Sequence, residues 1–124
     1  MSGKILLFGF DDLKDVLTLG AAVKPLGVEL VPVTRRDYNR TLGALAEGAA
    51  EAAHPYQGGP LGGRMLVLCG VDETLDALLA ALRQAGVGPE CLKAVLTEHN
   101  RRWTPVALHK ELLREQAEMR RLKR

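Results

Sequence analysis

Gly3-Lys-Ile-Leu-Leu-Phe-Gly9 and Gly63-Arg-Met-Leu-Val-Leu-Cys-Gly70 are two short apolar runs, each closed by a glycine, and their reading decides the fold. Neither run alternates with polar residues, which suits a strand covered on both faces rather than one with a wet side. A helical pattern follows each. After the first, Asp11 and Asp12 offer an N-cap, and Leu13, Val16, Leu17 and Val23 recur at helical spacing until Gly27. After the second, Asp72 stands as the cap of a helix carrying Leu75, Leu78, Leu79 and Leu82 on one stripe, with Gly86 at its end.

Each half then closes with a strand and a second helix. Residues 28–33 and 93–97 are the strands. Thr41 opens a helix in which Leu42, Leu45, Ala46, Ala49 and Ala53 share a small-residue face, so it packs closely or is short, and Gly43 and Gly48 weaken it. Thr104 followed by Pro105 is a cap with proline at the first helical position, starting a helix with Leu108, Leu112 and Leu113. Leu26-Gly27-Val28 falls on Ala85-Gly86-Val87, Thr34 on Thr97, Thr41 on Thr104 and Leu45 on Leu108.

These patterns predict an α/β fold of two βαβα repeats forming a four-stranded, mainly parallel sheet with helices on both faces. The alternative is a ferredoxin-like two-layer α+β arrangement. The expected organisation is a single domain, with pseudo-repeats 1–53 and 64–124 joined by the Gly/Pro-rich connector 54–63, read as flexible. The favoured strand order is 2-1-3-4 with all four parallel, which places the first and third helices on opposite faces. A switch-point crevice then opens between the first and third strands, where the loops after them meet.

Composition narrows the function. Hydrophobic residues at 47% and charged residues at 26% are ordinary for a globular protein. A net charge of +2, from 17 basic and 15 acidic residues, gives no field that argues for nucleic acid, which is not expected as a partner. Arg120, Arg121, Lys123 and Arg124 crowd the C-terminal end, but no aromatic residues interleave with them. No apolar run approaches membrane-spanning length, residues 1–4 lead straight into a strand without a leader pattern, and no membrane association is expected. Cys69 and Cys91 stand apart from any C-x-x-C or Cys/His spacing; no metal is expected, and a reducing cytoplasm fits best.

Two groups of residues are candidates for a site. Asp11, Asp12, Asp72 and Glu73 would line the switch-point crevice and could act as acid and base or hold a cation, although each also sits where a helix-capping acid belongs. Thr97, Glu98, His99, Asn100, Arg101, Arg102 and Trp103 form the most chemically loaded stretch: an imidazole, two guanidiniums and the only tryptophan at a strand end. They are the candidate binding loop, with turn, cap and packing roles as the competing reading. Neither glycine turn completes a G-x-G-x-x-G fingerprint, and the glycines of residues 58–63 precede a strand rather than open a helix, so no phosphate loop and no cofactor is implied. His54 and His109 lack metal-binding spacing and are expected at the surface.

Lys93-Ala94-Val95-Leu96-Thr97 with Asn100 and Trp103, followed by a helix carrying Glu111-Leu112 and Glu115, resembles the bacterial family catalogued as domain of unknown function 3783. Tyr38-Asn39, Leu42-Gly43, Leu45-Ala46 and Gly48 resemble its N-terminal stretch, so the resemblance covers most of the chain. It implies no substrate, cofactor or catalytic residue. The expectation is therefore a small cytoplasmic binding, regulatory or protein-interaction module without catalytic activity, with a homo-oligomer or protein partner. The alternative is a small enzyme or binding protein for a phosphorylated or carboxylated metabolite.

Overall fold

A computed structural model of the chain describes residues 3–48 and 54–122. The strands are β1 (Lys4–Phe8), β2 (Glu29–Val33), β3 (Met65–Cys69) and β4 (Leu92–Val95); the helices are α1 (Leu13–Val23), α2 (Leu42–Glu47), α3 (Leu75–Gln84) and α4 (Pro105–Leu122). They form an α/β fold with one four-stranded sheet in the order β2-β1-β3-β4. The two outer pairs are parallel, and the central pair, β1 with β3, is antiparallel, with Lys4 opposite Cys69 and Phe8 opposite Met65.

The predicted order is found, but the all-parallel arrangement is not, and the connector supplies the reason. Asn39 Nδ2 donates to His54 O at 2.8 Å and Tyr56 N to Arg36 O at 2.9 Å. These bonds hold the connector beside the segment that follows β2, at the end of the sheet where β1 and β2 finish. β3 therefore begins next to Phe8 and runs back. Residues 54–63 contain no helix or strand, yet they are anchored, with Leu61 and Tyr56 packed on the core.

An antiparallel centre also changes which helices share a face. A twofold axis normal to the sheet relates its two parallel pairs, so crossovers of the same hand put both connecting helices on one side. Accordingly α1 and α3 pack together, with Leu19, Val23, Leu78 and Leu82 over Ile5, Leu7, Leu66 and Leu68. The expectation that they lie on opposite faces is corrected. α2 and α4 cover the other face, where Leu42, Leu45 and Leu108 meet Leu6, Phe8, Met65 and Val67. Both central strands are thus buried on both sides, which is why neither alternates.

Local chemistry sets the helix ends. Asp12 caps α1 by accepting from Lys14 N at 2.9 Å, and Thr41 and Thr104 accept from Ala44 N and Ala107 N, each at 3.2 Å. Asp72, expected as the cap of α3, instead lies in a 3₁₀ turn, Asp72–Thr74, that leads into that helix without a side-chain cap bond. Leu13 and Leu17, expected on the buried stripe of α1, are 69% and 65% exposed, because the helix presents Leu19, together with the expected Val23, to the sheet. α2 is short, as its glycines foretell, and Ala49 and Ala53 lie outside the described residues.

Candidate functional site

The loop after β4 is built on reciprocal hydrogen bonds. Thr97 N donates to Asn100 Oδ1 at 2.8 Å, Asn100 N donates to Thr97 Oγ1 at 3.1 Å, and Asn100 Nδ2 reaches back to Val95 O at 3.0 Å. A 3₁₀ turn, Asn100–Arg102, follows, and Trp103 N closes it on Asn100 O at 2.9 Å. The Thr97 and Asn100 side chains thus each bond the backbone at this strand end, which fixes their orientation.

Packing uses the rest of the loop to join the two halves. Leu42 N donates to Trp103 O at 2.9 Å, while Arg101 pairs through Nη2 with Glu47 of α2 at 2.6 Å and, more loosely, through Nη1 with Glu98 at 3.5 Å. Gly43 makes room for this contact, since a Cβ there would lie 3.1 Å from Arg101 Nε and 3.2 Å from Arg101 O. Trp103 packs against the core beneath α2 and α4, and His99 meets its ring edge-on at 5.3 Å between centroids. Arg102 is exposed.

A groove of about 400 Å³ lies between β4 and α4, with His99 and Trp103 near the loop end and Ala94, Leu108, Glu111 and Leu112 along its sides. β4 is an edge strand, so one side of its ladder is open. Lys93 turns its ammonium back to the carbonyls of Gly88 and Cys91, at 3.2 and 3.1 Å. Beyond the groove, Leu113, Met119 and Leu122 of α4 are exposed.

The acidic candidates do not converge. With β1 and β3 antiparallel, the loop after β1 and the loop after β3 sit at opposite ends of the sheet, separated by a five-residue strand, roughly 16 Å. Asp72 and Glu73 line a depression beside Gly3 and Gly27. Asp12 is consumed as the α1 cap, whereas Asp11 opens onto a different cavity together with Arg35 and Tyr38. Thr97–Trp103 follows β4, which is parallel to β3, and so belongs to the end holding Asp72 rather than Asp11. Hence His99 and all four carboxylates cannot share one crevice.

Other titratable groups are structural. His109, expected at the surface, is 6% exposed on the inner side of α4, and burial pushes its imidazole below its ordinary value. Its Nε2 would lie 3.9 Å from a Cβ at Gly63, so the connector covers it. Burial raises the Cys69 thiol to about 11, and Cys91 is raised for the same reason, which leaves both as small apolar side chains at neutral pH. Among the described residues no three potential metal ligands gather, and no helix is long and apolar enough to cross a membrane.

The β3-α3-β4-α4 half, with its locked Thr97-x-x-Asn100-x-x-Trp103 turn, is also the part that comparison identifies. Residues 64–119 match the family described as Domain of unknown function (DUF3783). The DUF3783 segment thus runs from the start of β3 into α4, and the N-terminal stretch that resembles the family lies outside it. No curated protein and no solved structure matches the chain. Within the DUF3783 segment, the conspicuous threonine, asparagine and tryptophan hold the β4–α4 junction.

Arg35 and Tyr38 are the residues that sequence reasoning passed over. A signal was available. Thr34 aligns with Thr97, so residues 34–38 stand just past their strand as residues 97–101 do past theirs, with an arginine pair, an acid and an aromatic residue.

Proposed function

We propose that the chain is a non-catalytic interaction module that pairs with a second copy of itself through the β4–α4 groove and the exposed stripe of α4. The observation that carries this reading is the course of α4. Its first turns are buried at Pro105, Leu108 and His109, Leu112 is half-buried against the core, and the helix then continues to Leu122 with Leu113, Met119 and Leu122 exposed. Leu112, Glu115, Met119 and Leu122 follow at intervals of three, four and three, the periodicity of a helix-pairing seam.

Further support comes from the loop, whose Thr97 and Asn100 side chains bond the backbone and whose His99 lies edge-on against Trp103. A metabolite enzyme working at a central crevice loses its basis with the antiparallel β1–β3 pair. The matching caps at Thr41 and Thr104 further support descent of the two halves from one duplicated βαβα unit, of which the second became specialised for contact. A cytoplasmic setting accords with two buried, unpaired thiols.

Sedimentation velocity over a dilution series from micromolar to millimolar protein tests the pairing. The wild type is expected to shift from monomer to dimer, and Met119→Glu and Leu122→Glu, both at exposed positions, to remain monomeric with unchanged far-ultraviolet circular dichroism. A wild type that stays monomeric throughout refutes the proposal.

A further inference from the structure

The cavity at the other end of the sheet has a chemistry of its own. It measures about 500 Å³, within the range of small-molecule sites, and opens where the parallel strands β1 and β2 end. Val33 and Tyr38 come from the β2 side, and Leu61 and Gly63 of the connector form the facing wall. Gly9 sets how near that wall stands. Its φ is +79°, and a Cβ there would lie 2.9 Å from Gly63 O, so only glycine allows strand and connector to close together.

Three polar side chains, those of Asp11, Arg35 and Tyr38, line it. Tyr38 is 4% exposed, its ring wedged between Phe8 and Tyr56 at 6.0 and 5.8 Å. Its hydroxyl makes no hydrogen bond to the described residues. Because no buried side-chain polar atom is left unsatisfied among them, that hydroxyl reaches solvent through the cavity it lines. Asp11 and Arg35 both act electrostatically on the phenol, one from each sign, yet they form no ion pair with each other. Burial first, and then the Asp11 charge, push the phenol above its ordinary value, so it stays protonated and can donate.

Arg64 also borders the cavity, but its guanidinium is engaged elsewhere. It bonds Glu90 at 2.6 Å, approaches Asp15 at 3.9 Å and lies over the Phe10 ring at 4.8 Å. The charges left to a ligand are therefore one carboxylate and one guanidinium, flanking one hydroxyl donor. A simple anion would satisfy Arg35 and be repelled by Asp11; a simple cation would meet the reverse.

We propose that this cavity binds a small zwitterion of the amino-acid type, its carboxylate received by Arg35 and the Tyr38 hydroxyl, its ammonium by Asp11, and its side chain lying against Val33 and Leu61. Charge-assisted bonds to both ends give selectivity, because a ligand lacking either charge forgoes one of them. The site is independent of the β4–α4 groove and of pairing between copies.

The test is isothermal titration of the full chain with each proteinogenic L-amino acid, then with the N-acetyl and carboxamide derivatives of any that binds, and with inorganic phosphate. At least one free amino acid is expected to bind, and acetylation, amidation, Arg35→Gln or Asp11→Asn each to weaken it by about tenfold or more. Tyr38→Phe is expected to weaken it less, and Glu73→Gln, at the far end of the sheet, to leave it unchanged. Since Asp11 and Arg35 form no ion pair, their variants should keep the wild-type urea midpoint, which separates lost binding from lost folding. Absence of binding by every amino acid at millimolar concentration overturns the proposal. So does phosphate binding that Asp11→Asn strengthens, which would mark a plain anion site, or amino-acid binding indifferent to both charge variants.

Discussion

Replacing Asn100 with alanine tests whether the loop after β4 is a structural joint. The substitution deletes the acceptor of the 2.8 Å bond from Thr97 N and the donor of the 3.0 Å bond to Val95 O. A typical intramolecular hydrogen bond contributes about 0.5–1.5 kcal/mol net, and a partner left dry costs more. Thr97 is exposed, so water can replace the first bond, while Val95 is half-buried and its carbonyl is harder to rehydrate. Together these give a loss of about 2 kcal/mol. With a urea m-value of about 2 kcal/mol/M, the unfolding midpoint should fall by about 1 M.

The assay is urea unfolding followed both by far-ultraviolet circular dichroism and by fluorescence. Trp103, the only tryptophan, sits in the same turn, so its emission reports the joint itself. Thr97→Val removes only the 3.1 Å bond from Asn100 N and should cost about half as much, and the double variant should cost less than the sum. Asn100→Asp keeps an acceptor for Thr97 N but turns a carboxylate oxygen toward Val95 O, and should be no more stable than alanine. An Asn100→Ala midpoint indistinguishable from wild type would sink the structural reading and return the loop to the list of ligand sites.

Three further outcomes follow from the packing. Leu82→Ala, at a fully buried position between α3 and the sheet, should cost about 2–5 kcal/mol in the same assay; a smaller loss would mean that α3 packs less tightly than described. Gly9→Ala should cost about 1–2 kcal/mol from the left-handed backbone alone, and more from the approach to Gly63 O, while moving the connector as seen in amide exchange of residues 58–63. His109 is held neutral by burial, so its folded pKa lies below the unfolded value of about 6.5. Its contribution is whole above that pH and is lost as pH falls through the folded value, because the unfolded chain takes up the proton first. Thermal melts at stepped pH should show this loss, and His109→Gln should flatten it.

Much of the fold is legible along the chain because local rules suffice for it. Phe8 and Cys69 end runs that glycine closes, Thr41 and Thr104 mark helix starts, and Leu78 and Leu82 identify a buried stripe. Asp72 has the sequence position of a cap but sits in a 3₁₀ turn, Leu17 has helical spacing but faces water, and His109 looks like a surface residue but lies under the connector. For Leu17 and His109 the surroundings come from segments distant in the chain, whereas the Asp72 turn is closed locally by Thr74 N on Val71 O. The candidate loop was recognisable by its side chains, yet their use was not, since whether Asn100 faces a ligand or Val95 O depends on how the chain turns after β4.

The two apolar runs, by their lack of alternation, determined that β1 and β3 are central strands buried on both faces, and the helical periods determined what covers them. Direction was decided only in three dimensions. A strand's residues are equally apolar whichever way it runs, so no local pattern distinguishes a parallel β1–β3 pair from an antiparallel one. Bonds from the connector to Arg36 and Asn39 make that choice by starting β3 where β1 ends. The same choice separates the two acidic loops, dissolves the crevice they would have shared, and leaves Asp11 beside Arg35 and Tyr38 instead.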